Sequence, residues 1–222
     1  MTVGSKLYPS MTGSRKLTLI LRKCYYILMH KFDPRKREIL DDPKRFFFEN
    51  PDKIISEADV KTGYIVADIG CGTGFFTIPL ARYVGESGKV YALDTSPPMI
   101  RELRKRVKNL KQVKPILSGE NKFPLKESTL DFTLLVNMIH ELEDWKLFLK
   151  EVWRVLKPGG KICVVDFKKK KMEFGPPFDI RLTKKRIKEM LQQSGYSRIK
   201  SLSPLPFHNG LIAIKTYRGG WL

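Results

Sequence analysis

Cysteine is scarce in this sequence. The 222 residues hold three, Cys24, Cys71 and Cys163, with no CxxC pair and no metal-ligand spacing. That argues against a disulfide framework and for a reducing compartment. Long apolar runs are missing too. A membrane span needs roughly 18 apolar residues in succession; the nearest approach, 17–21 followed by 24–29, is cut by Arg22 and Lys23. A secretory signal would need a longer uninterrupted stretch and a small-residue cleavage site, and neither is there. The expectation is a cytoplasmic protein with no transmembrane segment. Internal repeats are also absent. Acidic residues are in short supply, 23 against 42 Lys and Arg, leaving a formal charge of +19.

What is present is enough for a core: 42% of residues are hydrophobic and 11% aromatic, which excludes wholesale disorder. The basic excess is uneven. Residues 1–28 carry five basic residues and no acid, 29–160 carry 23 and 19, and 161–222 carry 14 and 4. The middle is thus an ordinary near-neutral domain, and the ends hold the charge. A polyanion such as RNA is one partner this suggests; a lysine-rich solvated surface is the plainer account. The division expected is a basic, poorly ordered extension over 1–28 and a single domain over 29–222. A membrane-surface helix is an alternative for the extension, since apolar and basic residues interleave there.

Along the domain, strand and helix signals alternate. Apolar runs at 64–69, 89–93, 113–117, 131–136 and 161–167 read as strands. Helical spacing appears at 75–84, 98–109 and 145–156, the last closed by Lys157-Pro158-Gly159-Gly160. Alternation of this kind builds a parallel sheet with helices on both faces. The end differs: after a helix over 183–194, the segments 196–202 and 211–216 are strands with no helix between, so they should pair antiparallel at one edge.

The strongest chemical signal is Asp68-Ile69-Gly70-Cys71-Gly72-Thr73-Gly74, which follows a strand and opens a helix. Glycines let backbone amides approach a ligand closely and permit unusual dihedrals. Asp94 ends the second strand, 24 residues after Gly70, where a carboxylate can accept from both hydroxyls of a ribose. The spacing is Gly-x-Gly-x-Gly, not the Gly-x-Gly-x-x-Gly that seats a pyrophosphate, which disfavours a nicotinamide dehydrogenase.

Four segments together resemble class I S-adenosylmethionine-dependent methyltransferases: the glycine loop, Leu93-Asp94-Thr95-Ser96-Pro97-Pro98-Met99, the stretch from Asn121 to Asp131, and Val152-Trp153-Arg154-Val155-Leu156-Lys157-Pro158-Gly159-Gly160. They stand in family order over roughly residues 40–216 and are most similar to the small-molecule branch containing quinone-biosynthesis and arsenite methyltransferases. The resemblance implies a Rossmann-like, seven-stranded, mostly parallel α/β sheet with a reversed C-terminal strand. It implies S-adenosylmethionine as cofactor, with Asp68 and the backbone of Gly70, Cys71, Gly72, Thr73 and Gly74 around its methionine part and Asp94 on its ribose. Thr95 and Met99 would flank the adenine, Glu120 and Asn121 would lie at its edge, and Asn137 would border the cofactor. Many family members carry an acid where this chain has Gly119, so the adenine amine would depend on Glu120 or backbone.

The acceptor side is less marked. Ligands sit at the carboxyl ends of parallel strands, which puts 137–141 and Asp166 there. His140 is the candidate catalytic base, since imidazole titrates near neutrality; Glu141 would orient it or favour a helix start. The lysines 168–171 would steer an anionic acceptor, and Gly175-Pro176-Pro177-Phe178 would form part of a lid. Cys71 reads as steric, and three scattered cysteines do not make a thiol site for arsenite. The expected function is methyl transfer to a small-molecule acceptor. RNA or protein methylation docked by the basic ends, and a noncatalytic binding module, are the alternatives.

Overall fold

The computed structural model describes Asp33 and residues 39–216. The expected basic extension over 1–28, with Cys24, lies outside the described residues.

The sheet carries the domain. Strands β1 (Ile65–Ile69), β2 (Lys89–Asp94), β3 (Val113–Leu117), β4 (Leu130–Val136), β5 (Leu156–Phe167), β6 (Tyr196–Ser201) and β7 (His208–Lys215) form one sheet. Their order is β3-β2-β1-β4-β5-β7-β6. Every pair from β3 to β5 is parallel, and β7 runs antiparallel to both β5 and β6. Helices α1 (Arg45–Phe48), α2 (Pro51–Glu57), α3 (Thr77–Val84), α4 (Pro97–Arg106), α5 (Trp145–Val155) and α6 (Lys184–Gln193) connect and cover the strands. The strand order reverses between β1 and β4, and their carboxyl ends open the crevice where such sheets take ligands.

Side chains alternate across the sheet as strand geometry requires. Val66, Leu134, Cys163 and Val165 join Ile54, Ile55, Leu80 and Leu103 in one apolar cluster. Ala67, Leu135, Ile162 and Val164 join Phe148, Val152, Ile187 and Leu191 in the other. Helix starts are fixed by side-chain caps: Asn50 accepts from the Lys53 amide ahead of Pro51, and Asp144 from the amides of Lys146 and Leu147. Such caps satisfy amides that have no partner inside the helix.

Two strands begin several residues before their sequence limits. β5 begins at Leu156, because Leu156 already pairs with Leu130 before the register shifts and the ladder resumes at Phe132 with Lys161. The Lys-Pro-Gly-Gly turn is therefore an irregularity within β5, with Gly159 at φ +78°. β7 begins at His208, which pairs with Phe167 at the end of β5. Among the described residues no helix is long and apolar enough to cross a membrane.

Candidate functional site

The glycine loop leaves β1 by turning over β2. The amides of Gly70 and Cys71 both donate to the Leu93 carbonyl, at 2.8 and 3.0 Å. Gly70, Gly72 and Gly74 all have positive φ, +75°, +53° and +100°, which residues with a Cβ rarely adopt. Space adds to the requirement at Gly74, where a Cβ would stand 2.5 Å from Leu103 Cδ1.

Two carboxylates flank this loop. Asp94 accepts from the Gly72 amide at 2.9 Å and from the Ser96 amide at 2.8 Å. Burial raises its pKa while those amides pull it back down. Asp68 is 2% exposed and accepts from Thr77 Oγ1 at 2.6 Å. Burial, reinforced by the negative charge of Asp94, pushes its pKa up to about 7. The thiol of Cys71 is buried and its pKa is driven well up, so it is no nucleophile at neutral pH.

The expected adenine side gathers the ends of β2 and β3. Met99 is buried and Thr95 exposed. Glu120 accepts from the Glu143 amide at 3.4 Å. Asn121 Oδ1 and Ser96 Oγ are buried without a hydrogen-bond partner. A buried polar oxygen left unpaired costs free energy, and that of Ser96 stands two residues after Asp94.

A strip of chain ahead of the sheet closes the opening. Leu40 Cδ1 lies 3.2 Å from where a Cβ on Gly72 would be. Asp41 accepts from Thr73 Oγ1 at 2.8 Å and takes a two-pronged ion pair from Arg106 at 2.6 and 2.7 Å. Arg45 donates to the Leu40 carbonyl, pairs with Glu49 at 3.2 Å and lies 4.0 Å from the centre of the Phe75 ring. Glu49, 2% exposed, receives Asn137 Nδ2 at 3.0 and 3.2 Å. Asn137 itself sits at φ +54° where β4 ends.

Beyond Asn137 lies the acceptor edge. His140 Nδ1 is 2.7 Å from Asp166 Oδ1, and its Nε2 is 3.7 Å from Glu141. Burial alone would lower the His140 pKa, but the Asp166 charge and hydrogen bond, with Glu141, outweigh burial and raise it. Phe48, Phe174 and Phe207 meet with ring centres 4.8 to 5.6 Å apart, and Phe167 adjoins Phe174 at 6.4 Å. The loop 168–181 is stapled by Arg181, 3% exposed. Its guanidinium donates to the carbonyls of Pro176, Lys170 and Phe174 at 2.7, 2.6 and 2.8 Å. This loop encloses an open cavity of 480 Å³ lined by Lys171, Phe174, Pro177, Phe178 and Arg181 among others. Of the four lysines, Lys168 is spent on the Leu205 and Pro206 carbonyls and Lys169 on that of Asp179, which leaves Lys170 and Lys171 exposed.

The structure thus gathers Asp68, the loop 70–74, Asp94, Thr95, Met99, Asn121 and Asn137 around one sheet edge, with Glu120 at its rim. Glu49 and Asp41 were not singled out by the sequence because they act through contacts distant along the chain, and Arg45 and Arg181 because their nearby carbonyl and carboxylate partners follow no motif. His208 was missed because it precedes the run read as a strand; a buried histidine just upstream of that run was the available signal.

A switched parallel sheet with a glycine loop after β1 and a carboxylate ending β2 defines a nucleoside-cofactor domain of the Rossmann-like kind. Residues 67–164 match a family model described as a methyltransferase domain. A solved S-adenosylmethionine-dependent methyltransferase from Aquifex aeolicus is 35% identical, with a TM-score of 0.79 over 84% of this chain and all of that one. The demethylmenaquinone methyltransferase of Bacillus mycoides is 39% identical over 110 residues, 49% of this chain and 46% of that protein. The chain thus matches about half the length of these curated relatives. An O-methyltransferase from Thermotoga maritima, 22% identical with a TM-score of 0.60 over 78% of this chain and 66% of that one, shares the fold. The protein belongs to the S-adenosylmethionine-dependent methyltransferase family. The family's methyl donor, as its name says, is S-adenosylmethionine. The residues present fit that donor: a loop of three glycines at positive φ, a buried carboxylate in Asp68 with no ion pair among the described residues, and an unpaired oxygen on Asn121.

Proposed function

We propose that the enzyme methylates a small, flat, hydroxylated aromatic acceptor of the demethylmenaquinone type. The observation that carries this reading is the group of phenylalanines, Phe48, Phe167, Phe174 and Phe207, standing against the buried His140–Asp166 pair at the carboxyl end of β5. Aromatic walls with a few polar groups at their base suit a planar ring bearing hydroxyls. The name carried by the Bacillus relatives agrees with that chemistry.

On the donor side, Asp68 and the amides of residues 70–74 hold the methionine portion, the carboxylate facing its ammonium. Asp94 receives the ribose hydroxyls, Thr95 and Met99 flank the adenine, and Asn121, with Glu120 at the rim, meets its edge. Asn137 separates donor from acceptor. Bound there, the donor supplies an electrophilic methyl group on a sulfonium. The protein's part is alignment and exclusion of water: the strip 39–49 covers the opening, and the stapled loop 168–181 holds the acceptor wall. His140, whose hold on a proton Asp166 strengthens, donates a hydrogen bond at the acceptor edge when charged and steadies negative charge on an acceptor oxygen. We take 29–222 as the catalytic domain.

Incubation with methyl-labelled donor and separate pools of naphthoquinol analogues, RNA and protein tests the acceptor class. Label in the naphthoquinol pool alone is expected; label confined to RNA or protein overturns the reading.

A further inference from the structure

His208 is the most enclosed ionisable side chain on the acceptor side without a hydrogen bond. It opens β7 opposite Phe167 and is 1% exposed, yet neither ring nitrogen has a partner. A buried imidazole left unpaired costs stability, so a role outside folding is called for. Its surroundings supply one. Nε2 stands 3.9 Å from Glu49 Oε1, too long for a hydrogen bond but near enough for an ion pair once the ring is charged. Asn137 and Arg45 hold the Glu49 carboxylate in place, and Asn137 Oδ1 is buried and unpaired as well. Three unsatisfied polar atoms are thereby grouped about one fixed carboxylate. The Phe167 ring packs on the imidazole, with ring centres 4.4 Å apart.

We propose that His208, backed by Glu49, takes the proton from the hydroxyl of the acceptor, and that Asn137 Oδ1 orients that hydroxyl. This rests on the hydroxylated-acceptor reading given above. In the step, the acceptor O–H bond breaks with its electron pair left on oxygen. The proton moves to a ring nitrogen of His208, and the resulting imidazolium is neutralised by Glu49. The acceptor reaches the imidazole by parting Phe48, Phe174 and Phe207, whose segments lie outside the sheet.

The two histidines divide the work by their surroundings. His140 is held by Asp166, which with Glu141 raises its pKa against burial, so it is suited to donate. Around His208, burial lowers the pKa most; Glu49 and Asp166 raise it, Arg45 and Lys168 lower it, and the net direction is down. His208 is therefore neutral near pH 7 and free to accept.

The test uses 4-nitrophenol as the probe, because its phenolate absorbs separately from the neutral form, with no methyl donor present. Below the probe's own midpoint in solution, wild type should bind it as phenolate, and His208→Asn should lose at least tenfold of that bound phenolate. Histidine-labelled wild type should show the His208 ring becoming charged as the probe binds, with His140 unchanged. Glu49→Gln removes a negative neighbour, so the His208 midpoint should fall further and bound phenolate should diminish. Binding as neutral phenol with His208 uncharged, or undiminished phenolate in folded His208→Asn, overturns the role of His208 alone. No binding of the probe by wild type sinks the hydroxylated-acceptor reading and this role together.

Discussion

Replacing Asp68 by Asn isolates the cost of one buried charge. The carboxyl sits in an apolar strand end with a single hydroxyl donor, Thr77, and the charge of Arg45 lowers its pKa by less than burial raises it. Its pKa is raised from 3.8 to about 7, so the folded protein binds this proton more tightly than the unfolded chain does. Stability contributed by the protonated form is therefore present below pH 3.8 and lost as pH climbs to about 7. At about 1.4 kcal/mol per pH unit, the loss across that window is roughly 4 kcal/mol. Asn keeps the size and can still accept from Thr77, but it cannot ionise. Urea unfolding of both proteins at pH 4.5 and 7.5 should show Asp68→Asn gaining roughly 3 kcal/mol relative to wild type between the two, since about 1 kcal/mol is already lost below pH 4.5. Other acids cancel in that double difference. The methyl donor's ammonium reverses the penalty by pairing with the carboxylate. Donor affinity should thus rise with pH toward 7 in wild type, with a proton released on binding below it. In Asp68→Asn the affinity should be weaker and flat. Stability curves that run parallel within about 1 kcal/mol would falsify the argument from burial.

Three further outcomes are expected. Asp94→Ala should weaken donor binding at least tenfold in calorimetry, since a hydrogen bond to a charged group is worth about 1.5–3 kcal/mol; unchanged affinity refutes the ribose assignment. Arg181→Ala should speed tryptic cleavage at Lys170 and Lys171 and raise the acceptor KM while leaving donor affinity alone, and Arg181→Lys should not rescue it, because an ammonium lacks the planar fork that reaches three carbonyls. Gly74→Ala should lower stability by about 1–3 kcal/mol in urea, from overpacking on Leu103 with added strain at positive φ; a midpoint equal to wild type contradicts the packing.

The strand succession and the cofactor loop were legible because both are local. Val66 to Gly74 states its own geometry: alternating burial, then glycines where the chain turns, and Asp94 follows from the same logic one strand later. The reversed strand was visible from the missing helix between β6 and β7. Limits set by pairing were not: Leu156 belongs to β5 only because Leu130 faces it across the sheet, and His208 belongs to β7 only because Phe167 does. The acceptor side was the least readable. Glu49 meets Asn137 across 88 residues and Asp41 meets Arg106 across 65, and neither acid stands in a pattern that would announce the contact. The lysines 168–171 keep their charge, but the fold also ties two of them to backbone carbonyls, a use their run in the sequence does not indicate.

The strip over residues 39–49 touches the donor loop through Leu40 and Asp41 and the acceptor edge through Glu49. A single stretch of backbone therefore latches both halves of the reaction chamber. Parting Phe48 from Phe174 and Phe207 to admit an acceptor pulls on the same stretch that pins Thr73 through Asp41, so the two substrates do not exchange independently. The kinetic signature is compulsory-order turnover: donor first in, demethylated donor last out. Product inhibition should be competitive against the donor and noncompetitive against the acceptor. A truncation beginning at Pro51 would convert that ordered exchange into a random one while leaving the sheet intact.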